Sequence, residues 1–257
     1  MKTMKKIVSV IIGIAGFAGF IACIAERFEK PLHKPFGIYK KYFKRPMDAF
    51  LAVGALIVFS PILIILTMLG TIEMKGNPFY IQKRPGKRSA KTGTETIIKL
   101  IKFRSMTNEK DENGNLLPDS QRLNKYGRII RATSLDELPS LVNIVKGDIS
   151  IVGPRPLSVK YLPYYTQEEH QRHDIRPGLT GLAQVRGRNS ISWDAKFAAD
   201  LQYVNKITFL GDVKIVLDTV KKVFLREGIG QGEEMPVSLN VERANWIDHD
   251  KEEIKAL

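Results

Sequence analysis

Residues 49–72 read AFLAVGALIVFSPILIILTMLGTI, an uncharged stretch interrupted near its middle by Ser60 and Pro61. It is long enough to cross a bilayer as a helix. Proline, however, removes a helix hydrogen bond and bends or breaks the helix where it sits. Lys40, Lys41, Lys44 and Arg45 precede the stretch, and Lys75, Lys83, Arg84, Lys87 and Arg88 follow it. The positive-inside rule draws both flanks to the cytoplasm. A re-entrant helix, broken at Ser60-Pro61 so that it dips into one leaflet and returns, satisfies both. A spanning helix with a tolerated proline kink satisfies only one.

A second apolar segment, residues 7–25, is also uncharged and follows Lys2, Lys5 and Lys6. No small-x-small cleavage site precedes Glu26, so it reads as a retained anchor rather than a cleaved signal peptide. The stronger basic cluster follows it, which puts the amino terminus outside. Residues 227–257 carry eight acidic and three basic residues, a net of −5 against +13 for the whole chain, so the remainder carries +18. A body that basic seeks polyanions. The apolar segments turn the choice from nucleic acid to lipid headgroups and phosphorylated substrates. The single cysteine, Cys23, excludes an internal disulfide.

The rest reads as α+β, with a small β-hairpin and amphipathic interfacial helices beside the membrane segment. Phe79–Gln82 and Thr96–Phe103 form the hairpin strands, with a Gly- and Lys-rich turn between, and residues 107–121 form a polar loop. Thr166 and Glu169 have capping-box spacing before a helix ending near Arg176. Residues 193–205 and 210–226 read as amphipathic helices. In the second, Val213, Val216, Val220 and Val223 oppose Lys214, Lys221 and Lys222, which suits a membrane surface or the protein core equally. The tail from Gly228 reads as extended, without a part in catalysis.

Chemistry concentrates at Thr133-Ser134-Leu135-Asp136-Glu137-Leu138-Pro139. Ser134 with Glu137 has the form of a capping box, placing Asp136 in a first helical turn; alternatively Pro139 opens the helix and leaves Asp136 in the preceding loop. Arg122, Lys125, Arg128 and Arg131 recur every third residue, which on one helix would make a cationic stripe ending near the carboxylates. Lys102 and Arg104 alternate at a strand end, so only one of them points into a given site. Arg155, between Pro154 and Pro156, suits a fixed bidentate phosphate contact. No nucleotide P-loop, dinucleotide fingerprint or zinc-ligand pattern occurs. His33, His170, His173 and His249 are scattered and read as surface residues.

From about Tyr39 to Phe224 the chain resembles the bacterial small monotopic phosphoglycosyl transferases. The matching stretches begin with Phe43-Lys44-Arg45 and Asp48, Phe59-Ser60-Pro61, Gln82 through Gly86, Lys102 through Met106 and Ser134 through Leu138. They continue with Lys146-Gly147-Asp148, Gly153 through Pro156, Arg176 through Gly181 and Gln184 through Arg188. Gly187 through Trp193 is most similar to members that transfer phospho-N,N′-diacetylbacillosamine. The resemblance implies a catalytic domain on the cytoplasmic face of the bacterial inner membrane, held by the re-entrant helix. It implies Asp136 as nucleophile on the β-phosphorus of a UDP-sugar and Glu137 as its helper, with the pair serving Mg²⁺. Lys102, Arg131 and Arg155 would hold phosphate, and undecaprenyl phosphate would accept the phosphosugar.

The expected domains are an anchor and basic linker at 1–38, a transferase domain at 39–226 containing the re-entrant helix at 49–72, and an acidic tail at 227–257. The anchor and tail depart from the smallest relatives. A membrane-tethered protein that merely binds nucleic acid or anionic lipid is the non-enzymatic alternative, with salt-sensitive binding indifferent to Asp136 and Glu137. The sequence leaves open the sugar and a homo-oligomeric state. Cysteines placed singly on the two flanks of residues 49–72 should react with impermeant reagents from the same side of the membrane; labelling from opposite sides would refute the re-entrant path.

Overall fold

The computed structural model describes residues 37–187, 190–225 and 237–244. The expected anchor at residues 7–25, His33, His249 and most of the acidic tail lie outside these. Helix α1 spans Lys44–Val58 and α2 spans Ser60–Glu73, joined at Phe59 and bent by 66°. Pro61 cannot donate to the carbonyl of Ile57, and the Ser60 hydroxyl donates to it instead at 2.7 Å. The Ser-Pro pair thus breaks the helix without orphaning a carbonyl in an apolar stretch. Among the described residues no single helix is long and apolar enough to cross a membrane, whereas this bent pair passes that test together. Phe50, Leu51, Val58, Ile64, Met68 and Ile72 are each more than half exposed. That is an apolar surface well beyond scattered surface residues.

The first turns of α1 behave differently. Lys44 and Arg45 are buried, as is Asp48 one turn on. Lys44 Nζ lies 2.5 Å from Asp212 Oδ2, which also accepts from the Tyr39 hydroxyl at 2.9 Å. Asp48 accepts from the Ser150 hydroxyl. Arg45 donates to the carbonyls of Ile144 at 2.5 Å and Val145 at 2.7 Å. A charged root therefore fastens an apolar rod to the rest of the protein.

Strands β1 (Phe79–Arg88) and β2 (Glu95–Phe103) pair antiparallel, Phe79 opposite Phe103 and Arg88 opposite Glu95, with a bulge between Pro85 and Arg88. The first strand is longer than its sequence pattern suggests. Helix α3 covers Lys125–Ala132 and α4 covers Ser140–Lys146. Helix α4 serves β2 in place of a third strand: the Asn143 amide donates to Lys99 O at 2.8 Å and accepts from Ile101 N at 3.0 Å, and Ser140 Oγ donates to Ile101 O at 2.7 Å. Ala52 of α1, Ile98 and Leu100 of β2, Leu141 and Ile144 of α4, and Ile149 form the core between them.

A second, two-stranded parallel sheet pairs β3 (Ser150–Val152) with β4 (Gly178–Thr180). Strands of three residues carry no readable alternation, and the sequence pattern missed them. Helix α5 (Leu182–Arg186) leads to α6 (Trp193–Asn205) and α7 (Phe209–Leu225), the last two close to expectation. The core-packing reading of α7 holds for one side, and the opposite side is exposed. Ile215 is buried in the core, while Leu210, Leu217 and Leu225 are more than half exposed.

Four expectations need correction. The Arg122–Arg131 stripe is not one helix: Arg122 ends a separate turn (Asp119–Arg122), and the Asn124 side chain accepts from Gly127 N to start α3 anew. The Thr166–Glu169 capping box forms reciprocally, but a 3₁₀ segment, Glu169–His173, follows rather than a helix reaching Arg176. His173 is not a surface residue: it is 2% exposed and stacks on Tyr165, and burial holds its pKa well below the usual range. The neutral ring then donates from Nδ1 to Gly86 O at 3.1 Å. His170 is also partly buried, its Nδ1 lying 2.7 Å from Glu95 Oε1. Within the tail, Leu239–Glu242 forms one helical turn (α8), with Leu239 fully buried, so this part is not extended.

Asn143→Leu should leave the part-buried Ile101 N–H and Lys99 C=O without their partner, costing about 2 kcal/mol, whereas Val142→Ala on the exposed side of α4 should cost under about 1 kcal/mol. Thermal unfolding in detergent compares the two.

Candidate active site

Between α3 and α4 the chain leaves helical geometry at Ser134, which takes the left-handed region at φ 56°. That conformation is uncommon for a residue with a Cβ, and it recurs at functional sites. Leu135–Glu137 then forms a single 3₁₀ turn, and α4 begins at Ser140 behind Pro139. The Ser134 side chain caps nothing. The capping-box reading of Ser134 and Glu137 is therefore wrong, and the alternative with proline opening the helix is close to what is found. Leu135 and Leu138 pack against the cluster of Phe103, Tyr126 and Ile130. Anchored on both sides by leucine, Asp136 and Glu137 line the cavity.

That cavity holds about 760 Å³, within the range of small-molecule sites. Arg131 and Arg155 line it with the two carboxylates, and Val216 and Val220 of α7 supply an apolar wall. Glu137 Oε1 accepts from Lys102 Nζ at 2.7 Å and from Arg155 Nη2 at 3.3 Å. The expectation that only one of Lys102 and Arg104 enters the site holds: Lys102 does, and Arg104 is not among the cavity-lining residues. Arg131 donates from Nε to Ser105 Oγ at 2.7 Å, which fixes its guanidinium at the rim. Arg155 follows the turn at Gly153, where β3 and β4 approach so closely that a Cβ on Gly178 would lie 2.1 Å from Gly153 N. The structure thus gathers Asp136, Glu137, Arg131 and Arg155 around one cavity, and Lys102 reaches Glu137 from an adjoining cleft. Ser60 and Pro61 sit apart, at the α1–α2 bend.

The two adjacent carboxyls differ electrically. Burial raises the Asp136 pKa, Glu137 raises it further, and Lys102, Arg131 and Arg155 only partly offset this, leaving about 6. Burial also opposes ionisation of Glu137, but Arg155 and Lys102 outweigh it and hold that carboxyl at about 2. Among the described residues no hydrogen bond or ion pair reaches the Asp136 carboxylate, so it is a free acceptor facing a cavity.

Two residues without an assigned role in the sequence reading also belong here. Arg84 of β1 lines a small cleft with Lys102, Glu137 and Arg155. Burial and the neighbouring Arg155 lower its pKa, and no carboxylate among the described residues pairs with it. Gln184 of α5 is buried in the main cavity wall with both amide atoms unbonded; a buried unsatisfied amide is costly unless a ligand or water completes it. Both lie in stretches that the family resemblance had marked, but only tertiary placement reveals their electrostatics.

For a divalent cation the described residues offer no cluster of three or more His, Cys, Asp or Glu. The protein's share is the free Asp136 carboxylate and the unengaged Oε2 of Glu137. One or two carboxylates completed by substrate phosphates is the usual Mg²⁺ arrangement, so the residues fit that ion.

Residues 39–226 match the bacterial sugar transferase family. The chain is 50% identical over 170 residues to an uncharacterized sugar transferase of Bacillus subtilis, EpsL, covering 65% of this chain and 81% of that protein. It is 35% identical over 187 residues to the UDP-glucose:undecaprenyl-phosphate glucose-1-phosphate transferase of Caulobacter vibrioides (69% of this chain, 68% of that one). It is 34% identical over 199 residues to the undecaprenyl-phosphate galactose phosphotransferase of Salmonella typhimurium, covering 73% of this chain and 42% of the relative.

The unequal carboxyls make a paired stability prediction for metal-free protein. A folded-state pKa above the ordinary aspartate value means that ionising Asp136 costs stability, increasingly as pH rises from about 4 through about 6. Asp136→Asn should then raise Tm by a few degrees at pH 7.5 and by little at pH 4. Glu137 is the converse: its depressed pKa contributes stability that is present above about 4.5 and lost as pH falls toward 2. Glu137→Gln should lower Tm at pH 7.5. Calorimetry in EDTA decides both.

Proposed function

The chain belongs to the bacterial sugar transferase family and is a transferase enzyme, and from that premise we propose that it moves a sugar-1-phosphate from a UDP-sugar to undecaprenyl phosphate. The observation that carries this reading is the unpartnered Asp136 carboxylate beside a Glu137 whose charge is held by Lys102 and Arg155.

Lys102, Arg131, Arg155 and Arg84 bind the donor diphosphate and spread its charge. Asp136 attacks the β-phosphorus in line, the bond to the bridging oxygen breaks, and UMP leaves with that electron pair. The phosphosugar is then held on Asp136 as an acyl phosphate. A phosphate oxygen of undecaprenyl phosphate attacks the same phosphorus, the diphosphate-linked sugar forms, and the Asp136 carboxylate is restored. Bound Mg²⁺ would neutralise donor phosphate charge, easing approach of an anionic nucleophile. Glu137 fixes Lys102 and Arg155 where those phosphates must sit. A free carboxylate acts as a covalent nucleophile; one saturated by cations would not, and this divides the roles of the pair.

The two substrates live in different phases, one in the cytosol and one in the leaflet, so the site must lie at their boundary. The bent α1–α2 pair with basic flanks supports placement of the catalytic body on the cytoplasmic face of the cell membrane, with α7 at the interface. An N-acetylated amino sugar such as diacetylbacillosamine is the favoured cargo, from the likeness at Gly187 through Trp193. The names of the Salmonella and Caulobacter relatives favour galactose or glucose as the second reading. Relatives named as exopolysaccharide production proteins support a role at the first membrane step of polysaccharide assembly.

UMP release across a panel of UDP-sugars with undecaprenyl phosphate should identify one cargo. Asp136→Asn should lower that rate by roughly 10⁴-fold, and chelation of Mg²⁺ should abolish it. Full activity in Asp136→Asn would remove the nucleophile assignment.

A further inference from the structure

The family match covers residues 39–226, and residues 237–244 beyond it pack into the body. Leu239 is fully buried among Tyr165, Trp193 and Phe197. Arg243 is 4% exposed. Its guanidinium donates to both oxygens of Glu169, at 2.7 and 2.8 Å, to Asp194 Oδ1 at 2.9 Å and to the Tyr164 carbonyl at 2.9 Å, and it lies over the Phe197 ring. A bidentate, buried arginine of this kind is no incidental surface contact. Glu169 is the acid of the Thr166 capping box, so the tail completes a polar network that the domain begins.

The contact that matters for function is at Trp193. Its indole N–H, the ring's one donor, is taken by the Val237 carbonyl at 2.8 Å. Trp193 opens α6 and lines the cavity that holds Asp136, and so does Lys196, whose Nζ lies 4.3 Å from the Trp193 ring centroid. Tyr161 braces the same ring edge-on. The tail thus fastens the first turn of α6 by two handles, the Trp193 N–H and the Asp194 carboxylate, neither of which belongs to the phosphate cluster around Glu137.

We propose that residues 237–244 are a clasp that positions Trp193 and Lys196 as a wall of the donor cavity, so that Arg243 acts on binding of the UDP-sugar without touching it. The clasp rests on the reading of that cavity as a UDP-sugar site. Lys196 Nζ lies over the indole, which gives the wall an apolar ring edge beside an ammonium that offers a donor for oxygen ligands. Both depend on the rotamers that the clasp sets. Arg243 is a positioning residue, remote from the phosphorus chemistry.

The test uses the full chain in detergent, well below its Tm, with UDP-glucose, UDP-galactose and UDP-N-acetylglucosamine as donors. Arg243→Ala should raise the donor KM about tenfold with kcat within twofold. Trp193→Phe, which deletes only the N–H handle and some ring area, should raise KM in the same direction, and the double variant should fall well short of the product of the two effects. Hydrogen exchange should quicken in residues 190–200 of Arg243→Ala and stay unchanged in residues 135–146. That readout decides the matter even if none of the three donors turns over. Unchanged exchange at 190–200, an unchanged KM, or a drop in kcat alone that tracks lost folded protein would overturn the clasp. Asp136→Asn is the arm that separates the two ideas. UMP release that persists there defeats the transferase mechanism, whereas UMP release that requires Asp136 but ignores Arg243 defeats only the clasp.

Discussion

Helix α4 makes every other part of the site possible, because its polar groups are completed by elements from distant parts of the chain. At its carboxyl end the carbonyls of Ile144 and Val145 accept from Arg45 of α1. Along one side Ser140 and Asn143 take over the hydrogen bonds of Lys99 and Ile101 that a further strand would have made. At its amino end stand Asp136 and Glu137. The bent apolar rod, the hairpin and the carboxylates are therefore registered against one short helix. Seven residues alone would not hold a helix in water. Burial of Leu141 and Ile144 against Ala52 and Leu100, with these side-chain bonds, does so. Register passes from Asn143 along β2 to Lys102, and so to Glu137.

Two neighbouring carboxylates buried at one spot repel, and the usual outcome is that one is protonated. Here the protein loads its cations unequally. Lys102 and Arg155 converge on Glu137 Oε1, which keeps that group ionised at any physiological pH. Asp136 receives only longer-range help and has a pKa of about 6, so it is mostly ionised near neutrality while remaining uncapped. The strained Ser134 and the costly ionisation of Asp136 are both paid for in stability, as expected where geometry serves chemistry.

Much of this was legible in the amino-acid order. Uncharged residues 49–72 with Ser60-Pro61 at the centre and cations on both flanks implied a break, and the 66° bend is there. Asp136 and Glu137 stood out, although for a partly wrong local reason: capping-box spacing cannot reveal that Ser134 adopts a left-handed conformation and caps nothing. What remained hidden depends on contacts between distant positions. Arg243 sits in an acidic tail with no local pattern to mark it, yet it pairs with Glu169, 74 residues away. His173 reads as exposed until Tyr165 covers it. The orphaned amide of Gln184 has no local signal at all, since only the folded cavity wall leaves it without a partner.

The proposed transfer requires a covalent bond between Asp136 and phosphorus. Intact-protein mass spectrometry after mixing the full chain with its UDP-sugar and Mg²⁺, without undecaprenyl phosphate, observes that bond directly. A mass increase equal to one sugar phosphate, mapped to the peptide containing Leu135 through Leu138 and lost on adding the lipid acceptor, is the predicted result. Stoichiometric UMP release with no adduct, or an adduct that persists in Asp136→Asn, would contradict it.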